Sequence, residues 1–331
     1  MFVRSMLISI LMPVKNAAPW LEETVRSIQL QEYQNWELLA VNDHSSDHSV
    51  QILHELAKND SRIKVINHPK WGIIPALQIA YSKAKGLVIT RMDADDCMPA
   101  NRLKTMLDAL LERGQKTVLT GKVEYFPVPI SEGYLKYAAW LNTRVDQSDH
   151  FRHVFRECVV ASPNWMMFRS DAEEFSIFPQ LKYPEDYNMV FQWYTAGFTI
   201  HGIDQTTLLW REHPARTSRN SDVYAQASFF QLKLDWFCQI KAAALESLAL
   251  FGAGEKGKIV AAYLQEHGIR FTWYDLNHTK YGAGIYGNVI YHPNEVKETH
   301  ALVCVYPDRA EALEKFLAKK AFVLGENAWY F

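Results

Sequence analysis

The sequence predicts an α/β protein with a mostly parallel sheet flanked by helices, followed by a small C-terminal Rossmann-like α/β domain. Up to about residue 126, short apolar runs alternate with stretches whose apolar residues recur at helical spacing, which is typical of β-α units. Residues 127–220 lose this alternation and are rich in aromatic residues. A second strand-turn-helix pattern begins near residue 248 and predicts the second domain.

The composition limits the classes of protein to consider. Of the 331 residues, 48% are hydrophobic and 22% are charged, and the formal net charge of -2 gives no electrostatic case for nucleic-acid binding. The four cysteines form no pair with zinc-site spacing, so the cytoplasm is the expected location. No apolar segment approaches the roughly 20 residues that cross a bilayer, so any membrane association is expected to be peripheral, at the inner face. The apolar run before Pro13 lacks a cleavage site, and we interpret it as a strand rather than a signal peptide.

The predicted elements follow in order along the chain. Strands are expected at residues 6–12, 36–42, 63–67, 86–91 and 117–125, with helical patterns between them. A further helix is predicted from Pro184 to Ala196. These patterns predict a first domain of residues 1–220, a helical connector of residues 221–247 and a small domain of residues 248–331.

The residues directly after the predicted strands are the first candidates for a site, because open parallel sheets bind ligands outside the carboxyl ends of their strands. Acidic residues are frequent there. Asp95 and Asp96 could begin a turn and cap the helix that starts near Pro99. Alternatively, carboxylates in this position could hold Mg²⁺ or Mn²⁺ together with substrate phosphates. Asp43 could likewise be an Asx-turn residue.

Four sequence blocks in this order resemble family 2 glycosyltransferases of the GT-A fold, over about residues 6–215. They are Ile10-Leu-Met-Pro-Val-Lys-Asn16, Leu39-Ala-Val-Asn-Asp-His-Ser-Ser-Asp47, Lys85-Gly-Leu-Val-Ile-Thr-Arg-Met-Asp-Ala-Asp-Asp96 and Pro99-Ala-Asn-Arg-Leu103. The resemblance implies a nucleotide-sugar donor, usually a UDP-sugar, and Mn²⁺ or Mg²⁺ as cofactor. It also implies inverting transfer to a hydroxyl of a glycan or lipid-linked acceptor, in bacterial surface polysaccharide synthesis.

The resemblance assigns roles to individual residues of the first half. Pro13 and Val14 match positions that contact the nucleoside, and Asp43 matches the carboxylate that accepts a hydrogen bond from the base. Asp93 matches the position near the ribose and donor sugar, and Asp95 matches the metal ligand on the diphosphate.

The second half of the resemblance supplies a base and a further metal ligand. Asp186 matches the family's general base, which takes the proton of the acceptor hydroxyl, although Glu185 and Asp186 could instead only favour a helix N-terminus. The helix dipole would lower the pKa of Asp186, whereas Glu185 would raise it. His213 matches a residue that approaches the metal or the diphosphate, although it could equally be structural. Arg211 and Arg216 suit an anionic diphosphate.

Two residues in these blocks need a separate interpretation. Trp71 stands directly before Gly72, where the family often has Asn, so the edge of the donor pocket is expected to differ here. Asp96 is expected to cap the helix after the acidic block.

The C-terminal region carries a second motif. Phe251-Gly-Ala-Gly-Glu-Lys-Gly257 follows an apolar run and precedes a predicted strand ending at Asp275, which matches the dinucleotide-binding fingerprint. Gly252, Gly254, Gly257 and Asp275 are therefore candidates for a second nucleotide site. The region is long enough for one short nucleotide-binding half, so we favour a structural, regulatory or partner-binding accessory over a redox domain.

Two alternative functions remain open from the sequence. One is a nucleotide-binding or dinucleotide-binding regulatory module that works through this C-terminal loop. The other is a sugar-phosphate nucleotidyltransferase, but that class typically has a Gly-rich, Arg-containing loop where Pro13-Val-Lys-Asn16 stands.

Overall fold

The computed structural model describes residues 6–181, 184–216, 226–241, 245, 247–305 and 310–331. The chain divides into two compact units, one of Met1–His150 with Val159–Asn220 and the other of Phe151–Cys158 with Ser221–Phe331. Residues 151–158, which the sequence prediction placed in the first domain, group with the C-terminal unit. Of the predicted helical connector, residues 221–225, 242–244 and 246 lie outside the described residues.

The first unit contains a seven-stranded sheet. Its strands are β1 (Ile8–Val14), β2 (Trp36–Asn42), β3 (Ile63–Asn67), β4 (Val88–Arg91), β5 (Thr117–Phe126), β6 (Met166–Phe168) and β7 (Thr199–Arg211). They lie in the order β3-β2-β1-β4-β6-β5-β7, and β6 is antiparallel to both of its neighbours, whereas the other described pairs are parallel. The carboxyl ends of β1 to β4 therefore meet at one edge of the sheet.

Helices cover the faces of this sheet. The described helices are α1 (Leu21–Gln29), α2 (Ser49–Asn59), α3 (Ile73–Lys83), α4 (Arg102–Arg113), α5 (Glu132–Gln147), the short α6 (Arg169–Ala172) and α7 (Glu185–Thr195). Their apolar stripes are buried, as Leu21, Val25 and Ile28 of α1 illustrate. Burying one such side chain contributes about 1.5–3 kcal/mol, and this packing fixes the strand ends that carry the polar loops.

The predicted fold class is confirmed, and the main differences concern two strands. The bounds predicted for β2 and β3 agree with the structure, and β1 begins two residues later than expected. The sequence analysis identified neither β6 nor β7. Strand β6 has only three residues, too few for an alternation of apolar and polar residues to be recognised. Strand β7 has mostly polar residues in its first half, although it pairs with the full length of β5.

The second unit contains a five-stranded sheet, which fits the predicted C-terminal α/β domain. Its strands are β8 (Leu248–Phe251), β9 (Thr272–Tyr274), β10 (Ile290–Tyr291), β11 (His300–Val303) and β12 (Ala328–Tyr330), and they run parallel in the order β10-β9-β8-β11-β12. Its described helices are α8 (Gln226–Ile240), α9 (Glu255–Glu266) and α10 (Ala310–Lys319). Within the described parts of both units, no helix combines the length and apolar character needed to cross a lipid bilayer.

The glycine-rich loop between β8 and α9 is tightly packed. Gly252 has a φ of +99°, and its carbonyl oxygen accepts a hydrogen bond of 2.8 Å from the indole nitrogen of Trp273. A Cβ at Gly257 would overlap that same carbonyl oxygen, whereas a Cβ at Gly254 would meet nothing within 4 Å. Close backbone approach therefore requires glycine at positions 252 and 257 but not at position 254.

We expect Gly257→Ala to destabilise the second unit by about 2–4 kcal/mol, because the added methyl group cannot be accommodated without moving the loop. Gly254→Ala is the matched control, and it should cost less than about 1 kcal/mol since its Cβ would point into open space. Urea unfolding of the full chain measures both values. Equal losses for the two variants would contradict this account of the loop.

Candidate active site

The three aspartates after β4 point to three different partners. Asp93 accepts a hydrogen bond of 2.7 Å from Nε of Arg91. Asp95 lies 2.9 Å from Nε2 of His213, measured from its Oδ2. Asp96 accepts a hydrogen bond of 2.8 Å from the backbone N–H of Arg211. The acidic block therefore connects the end of β4 to the region that follows β7.

The expectation that Asp96 caps the following helix is wrong. Helix α4 begins at Arg102, and the residue before it makes no side-chain capping hydrogen bond. Asp96 is buried, and burial together with the charges of Asp95 and Asp93 raises its pKa well above the ordinary value. Its bond to β7 makes Asp96 a structural anchor for the loop.

Asp95 and His213, the two predicted metal ligands, are brought together by the fold. The imidazole of His213 stacks on the indole of Trp20 with the ring centroids 3.7 Å apart. Its Nδ1 is buried and has no hydrogen-bond partner among the described residues. A carboxylate oxygen and an imidazole nitrogen suit Mn²⁺, which can complete its coordination with substrate phosphates and water.

A metal at this position would depend on its substrate for further ligands. In the described part of the chain, no group of three or more His, Cys, Asp or Glu residues could hold a metal ion. The pair formed by Asp95 and His213 therefore fits a metal that binds together with a diphosphate, and it does not fit a self-contained structural metal site.

Arg211 and Arg216 differ from their expected role as diphosphate ligands. The guanidinium of Arg211 bonds at 2.6 Å both to the carboxylate of Glu23 and to the backbone carbonyl of Asp95, so it fixes the acidic loop. Arg216 is buried, pairs with Glu212 at 3.2 Å and lies 4.8 Å from the ring centroid of Trp210. These contacts give both arginines a structural role in the described structure.

The end of β2 forms the predicted nucleoside edge of the site. Asp43 is buried, and its Oδ1 accepts a hydrogen bond of 2.8 Å from the backbone N–H of Gly72. Its Oδ2 lies 3.5 Å from Nζ of Lys15. The backbone N–H of Asp43 donates to the carbonyl of Val14, so the neighbouring strand ends that carry Pro13 and Val14 are held beside this carboxylate.

The local turn after β2 does not use the Asp43 side chain. Asn42 accepts from the backbone N–H of Ser45 at 3.0 Å, and Asp47 accepts from that of Ser49 at 3.0 Å. Asp43 instead bonds to Gly72, which lies 29 residues away. This long-range contact argues against the interpretation of Asp43 as an Asx-turn residue.

The pocket edge next to Asp43 carries an aromatic stack. Trp71 is 68% exposed and stacks on His44 with centroids 4.0 Å apart. His68 lies behind them with Nε2 4.0 Å from Asp43, and neither of its ring nitrogens has a hydrogen-bond partner in the described structure. Burial lowers the pKa of His68, which favours the neutral imidazole. The sequence singled out Trp71 but not His44 or His68.

Glu185 and Asp186 lie in the first turn of α7 and have different surroundings. Glu185 is buried and pairs with Nη1 of Arg91 at 2.9 Å. Asp186 is half-buried and accepts a hydrogen bond of 2.8 Å from the N–H of Tyr187. Burial and the neighbouring charge of Glu185 raise the pKa of Asp186 to about 7, against the opposing effect of Arg91. The rise expected from Glu185 thus has the same direction as the rise caused by burial.

A model of a known protein family matches the first half of the chain. The family model described as "Glycosyl transferase family 2" matches residues 9–175, which is half of the chain. The chain belongs to glycosyltransferase family 2. The matched region contains Pro13, Val14, Asp43, Asp93 and Asp95, whereas Asp186 and His213 lie beyond it.

Several curated family members are similar over about a third of the chain. Glycosyltransferase GlyG of Streptococcus pneumoniae is 34% identical over 122 residues, which is 37% of this chain and 40% of that protein. The putative teichuronic acid biosynthesis glycosyltransferase TuaG of Bacillus subtilis is 32% identical over 116 residues, covering 35% and 46% respectively. The Escherichia coli enzyme WfgD, described as a UDP-Glc:alpha-D-GlcNAc-diphosphoundecaprenol beta-1,3-glucosyltransferase, is 36% identical over 107 residues, covering 32% and 42%. The matches thus span less than half of each relative.

Solved structures support the fold. Residues 1–349 of Staphylococcus aureus TarS in complex with UDP-GlcNAc align with a TM-score of 0.55 and 18% identity, covering 79% of this chain and 72% of that chain. The same protein in complex with UDP aligns with a TM-score of 0.53 at the same coverage. The predicted GT-A fold of the family 2 region is confirmed by this likeness.

The C-terminal candidate residues lie together in the second unit. Gly252 and Gly254 lie in the turn between β8 and α9, and Gly257 lies in the first turn of α9. Asp275 follows β9, and its two carboxylate oxygens each accept a backbone N–H at 2.7 Å, from Ala253 and from Asn277. This carboxylate connects the glycine-rich loop to the end of the neighbouring strand.

Proposed function

We propose that this family 2 protein is a metal-dependent, inverting glycosyltransferase that moves a sugar from a UDP-sugar to a hydroxyl of a glycan or lipid-linked acceptor. One observation carries the proposal: the acidic block after β4 is joined both to His213, through Asp95, and to Glu185 beside Asp186, through Arg91. The residues that we propose to bind the donor and the metal and to act as the base thus all belong to one unit.

The proposed donor is a nucleoside diphosphate sugar with uracil as its base. The TarS structures contain UDP and UDP-GlcNAc, and the name of WfgD specifies UDP-Glc. In this chain, Asp43 would accept a hydrogen bond from the base once Lys15, which is half-exposed, moves away from its Oδ2. Pro13 and Val14 would line the nucleoside, and Asp93 would face the ribose and sugar.

Asp95 and His213 would hold the proposed Mn²⁺ or Mg²⁺ on the donor diphosphate. The bound ion would supply Lewis-acid stabilisation of the negative charge that develops on the leaving nucleoside diphosphate. Arg211 keeps the Asp95 loop in place through its bond to the Asp95 carbonyl, and Trp20 fixes the plane of the His213 ring.

Asp186 is the proposed general base. The acceptor oxygen forms a bond to the anomeric carbon while the bond between that carbon and the β-phosphate oxygen breaks, and the acceptor proton passes to the Asp186 carboxylate. Attack from the face opposite the leaving UDP inverts the anomeric configuration. A base with a pKa of about 7 is suited to this step, because it is partly ionised near neutral pH and still binds the proton well.

The biological setting is proposed from the relatives. TuaG is named for teichuronic acid biosynthesis and WfgD for a diphosphoundecaprenol acceptor, so we propose a bacterial surface polysaccharide pathway. The proposed location is the cytoplasm or the inner face of the membrane, where nucleotide-sugars and lipid-linked acceptors meet. The second unit is proposed to have a structural, regulatory or partner-binding role.

Isothermal titration with UDP and with NADH, each with and without Mn²⁺, tests the proposed function. We expect UDP to bind at least about 10-fold more tightly when Mn²⁺ is present, because the ion neutralises the diphosphate. Binding of NADH without binding of UDP would contradict the proposal and point to the loop after β8. A panel of nucleotide-sugars, scored by released nucleoside diphosphate, then identifies the donor.

A further inference from the structure

Arg91 connects two carboxylates that are far apart in the sequence. Its Nε donates to Asp93 at 2.7 Å and its Nη1 donates to Glu185 at 2.9 Å, across 94 residues. The side chains of Arg91 and Glu185 are each 2% exposed. A charge-assisted bridge of this kind holds both partners in one geometry, because removing Arg91 would take its positive charge away from the buried Glu185 and the partly exposed Asp93.

The position of Arg91 is itself fixed by a second buried arginine. Arg102 donates through Nη2 to the Arg91 carbonyl at 3.2 Å, to Thr90 Oγ1 at 3.2 Å and to the Pro163 carbonyl at 2.5 Å. These acceptors are neutral, so Arg102 secures the end of β4 through hydrogen bonds to uncharged groups. The backbone that carries the Arg91 side chain is therefore held in place.

The charges around Asp186 come from two elements. Glu185 belongs to the same helix, and Arg91 and Asp93 lie at the end of β4. Arg91 is thus the cation that offsets the mutual repulsion of Asp93, Glu185 and Asp186.

We propose that Arg91 is a positioning residue that ties Asp93 on the donor side to Glu185 on the acceptor side and so fixes Asp186 relative to the bound donor. This inference rests on the proposed function. Arg91 itself touches neither substrate in the proposal; it acts through the two carboxylates that it joins. Lysine cannot replace it fully, because one ammonium group does not span both partners as the planar guanidinium does.

The test compares Arg91→Met, Arg91→Lys, Glu185→Gln and the double variant Arg91→Met/Glu185→Gln in the full chain. The pH dependence of kcat is measured with a UDP-sugar that the unmodified protein turns over. In Arg91→Met we expect kcat near pH 7 to fall at least about 30-fold. The acid limb is the low-pH side of the profile, where kcat falls because Asp186 becomes protonated, and its apparent pKa should rise by about one unit or more. Arg91→Lys should lose kcat with a smaller shift of the limb, because it keeps the charge.

Glu185→Gln should shift the pH profile of kcat in the opposite direction, because it removes the negative charge that raises the pKa of Asp186. Its acid limb should move to lower pH. The double variant should recover part of the kcat that Arg91→Met loses, because the negative charge of Glu185 that Arg91 offsets is then removed as well. If Arg91→Met fails to fold, Glu185→Gln decides: an unmoved acid limb in that variant would overturn the inference.

Arg144→Met is the matched control, since it removes a buried arginine that pairs with Asp149 and is not among the charges that act on Asp186. It should lower the melting temperature without moving the acid limb. Loss of activity in Arg91→Met by the same factor at every pH, without recovery in the double variant, would mean a merely structural role and overturn the inference. If instead the proposed function itself were wrong, the unmodified protein would bind no UDP and would release none from any nucleotide-sugar.

Discussion

Asp186→Asn should abolish sugar transfer and leave donor binding intact. Asparagine has nearly the same shape as aspartate but cannot take up the acceptor proton, and loss of a general base typically costs roughly 10²- to 10⁴-fold in rate. The half-buried side chain contacts its own helix through Tyr187, so the fold should tolerate the change. Released UDP measures transfer, and titration with UDP and Mn²⁺ measures binding, for which we expect a change of less than about 3-fold.

The same assignment fixes the direction of the pH dependence. Because the base must be ionised to act and the pKa of Asp186 is raised to about 7, transfer by the unmodified protein should increase between about pH 6 and pH 8. Asp108→Asn is a suitable control, since Asp108 is an exposed residue of α4 that pairs with Lys104. It should leave both rate and profile unchanged. Retained transfer in Asp186→Asn would reject Asp186 as the base.

Stability should change in the opposite sense to activity. The folded-state pKa of Asp186, about 7, lies above its ordinary value of 3.8, so its protonated form is favoured by folding. The corresponding contribution to stability is fully present below the ordinary pKa and is lost as the pH rises through about 7. At about pH 8, Asp186→Asn should therefore be more stable than the unmodified protein, by about 1–3 kcal/mol after allowance for partial exposure. Melting curves recorded near pH 4 and pH 8 measure this difference.

Asp95→Ala should remove the metal dependence of UDP binding. The proposed ion would lose its carboxylate ligand, and His213 would lose the partner that lies 2.9 Å away. We expect UDP affinity in the presence of Mn²⁺ to fall by about 100-fold, to the value measured without metal. Titration of UDP at fixed Mn²⁺, with electron paramagnetic resonance of free Mn²⁺ as a second readout, tests this expectation.

Two further variants separate metal binding from loop structure. His213→Ala should weaken the metal-dependent part of binding by about 10-fold, because one of two protein ligands is lost. Asp96→Ala should lower stability yet keep the response to Mn²⁺, since it removes the oxygen that accepts the backbone N–H of Arg211. If Asp95→Ala binds UDP and Mn²⁺ as tightly as the unmodified protein does, the Asp95 carboxylate is not the metal ligand.

The sequence predicted those parts of the fold whose signal is local. The strands β1 to β4 could be recognised because each is an apolar run bounded by helical patterns, and their carboxyl ends then located the candidate residues. Asp96 was misassigned because a capping motif is a local pattern, whereas its actual partner is the N–H of Arg211, 115 residues away. The partner of Arg211 was equally beyond the reach of a local pattern, since its carboxylate partner Glu23 lies near the beginning of the chain.

The sequence also contains a sign of the Arg91 bridge, namely an arginine within an apolar strand. It is the last residue of β4, a strand that is buried along its whole length. An arginine in such a strand requires a counter-charge, so its presence predicts buried carboxylates nearby. The identity of one of them, Glu185, depends on how β4 and α7 pack, and no local pattern encodes that contact.

The interleaving of the two units has a consequence for synthesis on the ribosome. Phe155 belongs to the second unit, where it stacks on Phe331 with centroids 5.6 Å apart and meets the ring edge of Phe237 at 5.5 Å. It is nevertheless translated before β6 and β7 of the first unit. Phe155 therefore cannot complete this aromatic cluster until Phe331 has emerged, so the nascent chain exposes an apolar segment of one unit while the other is already folding.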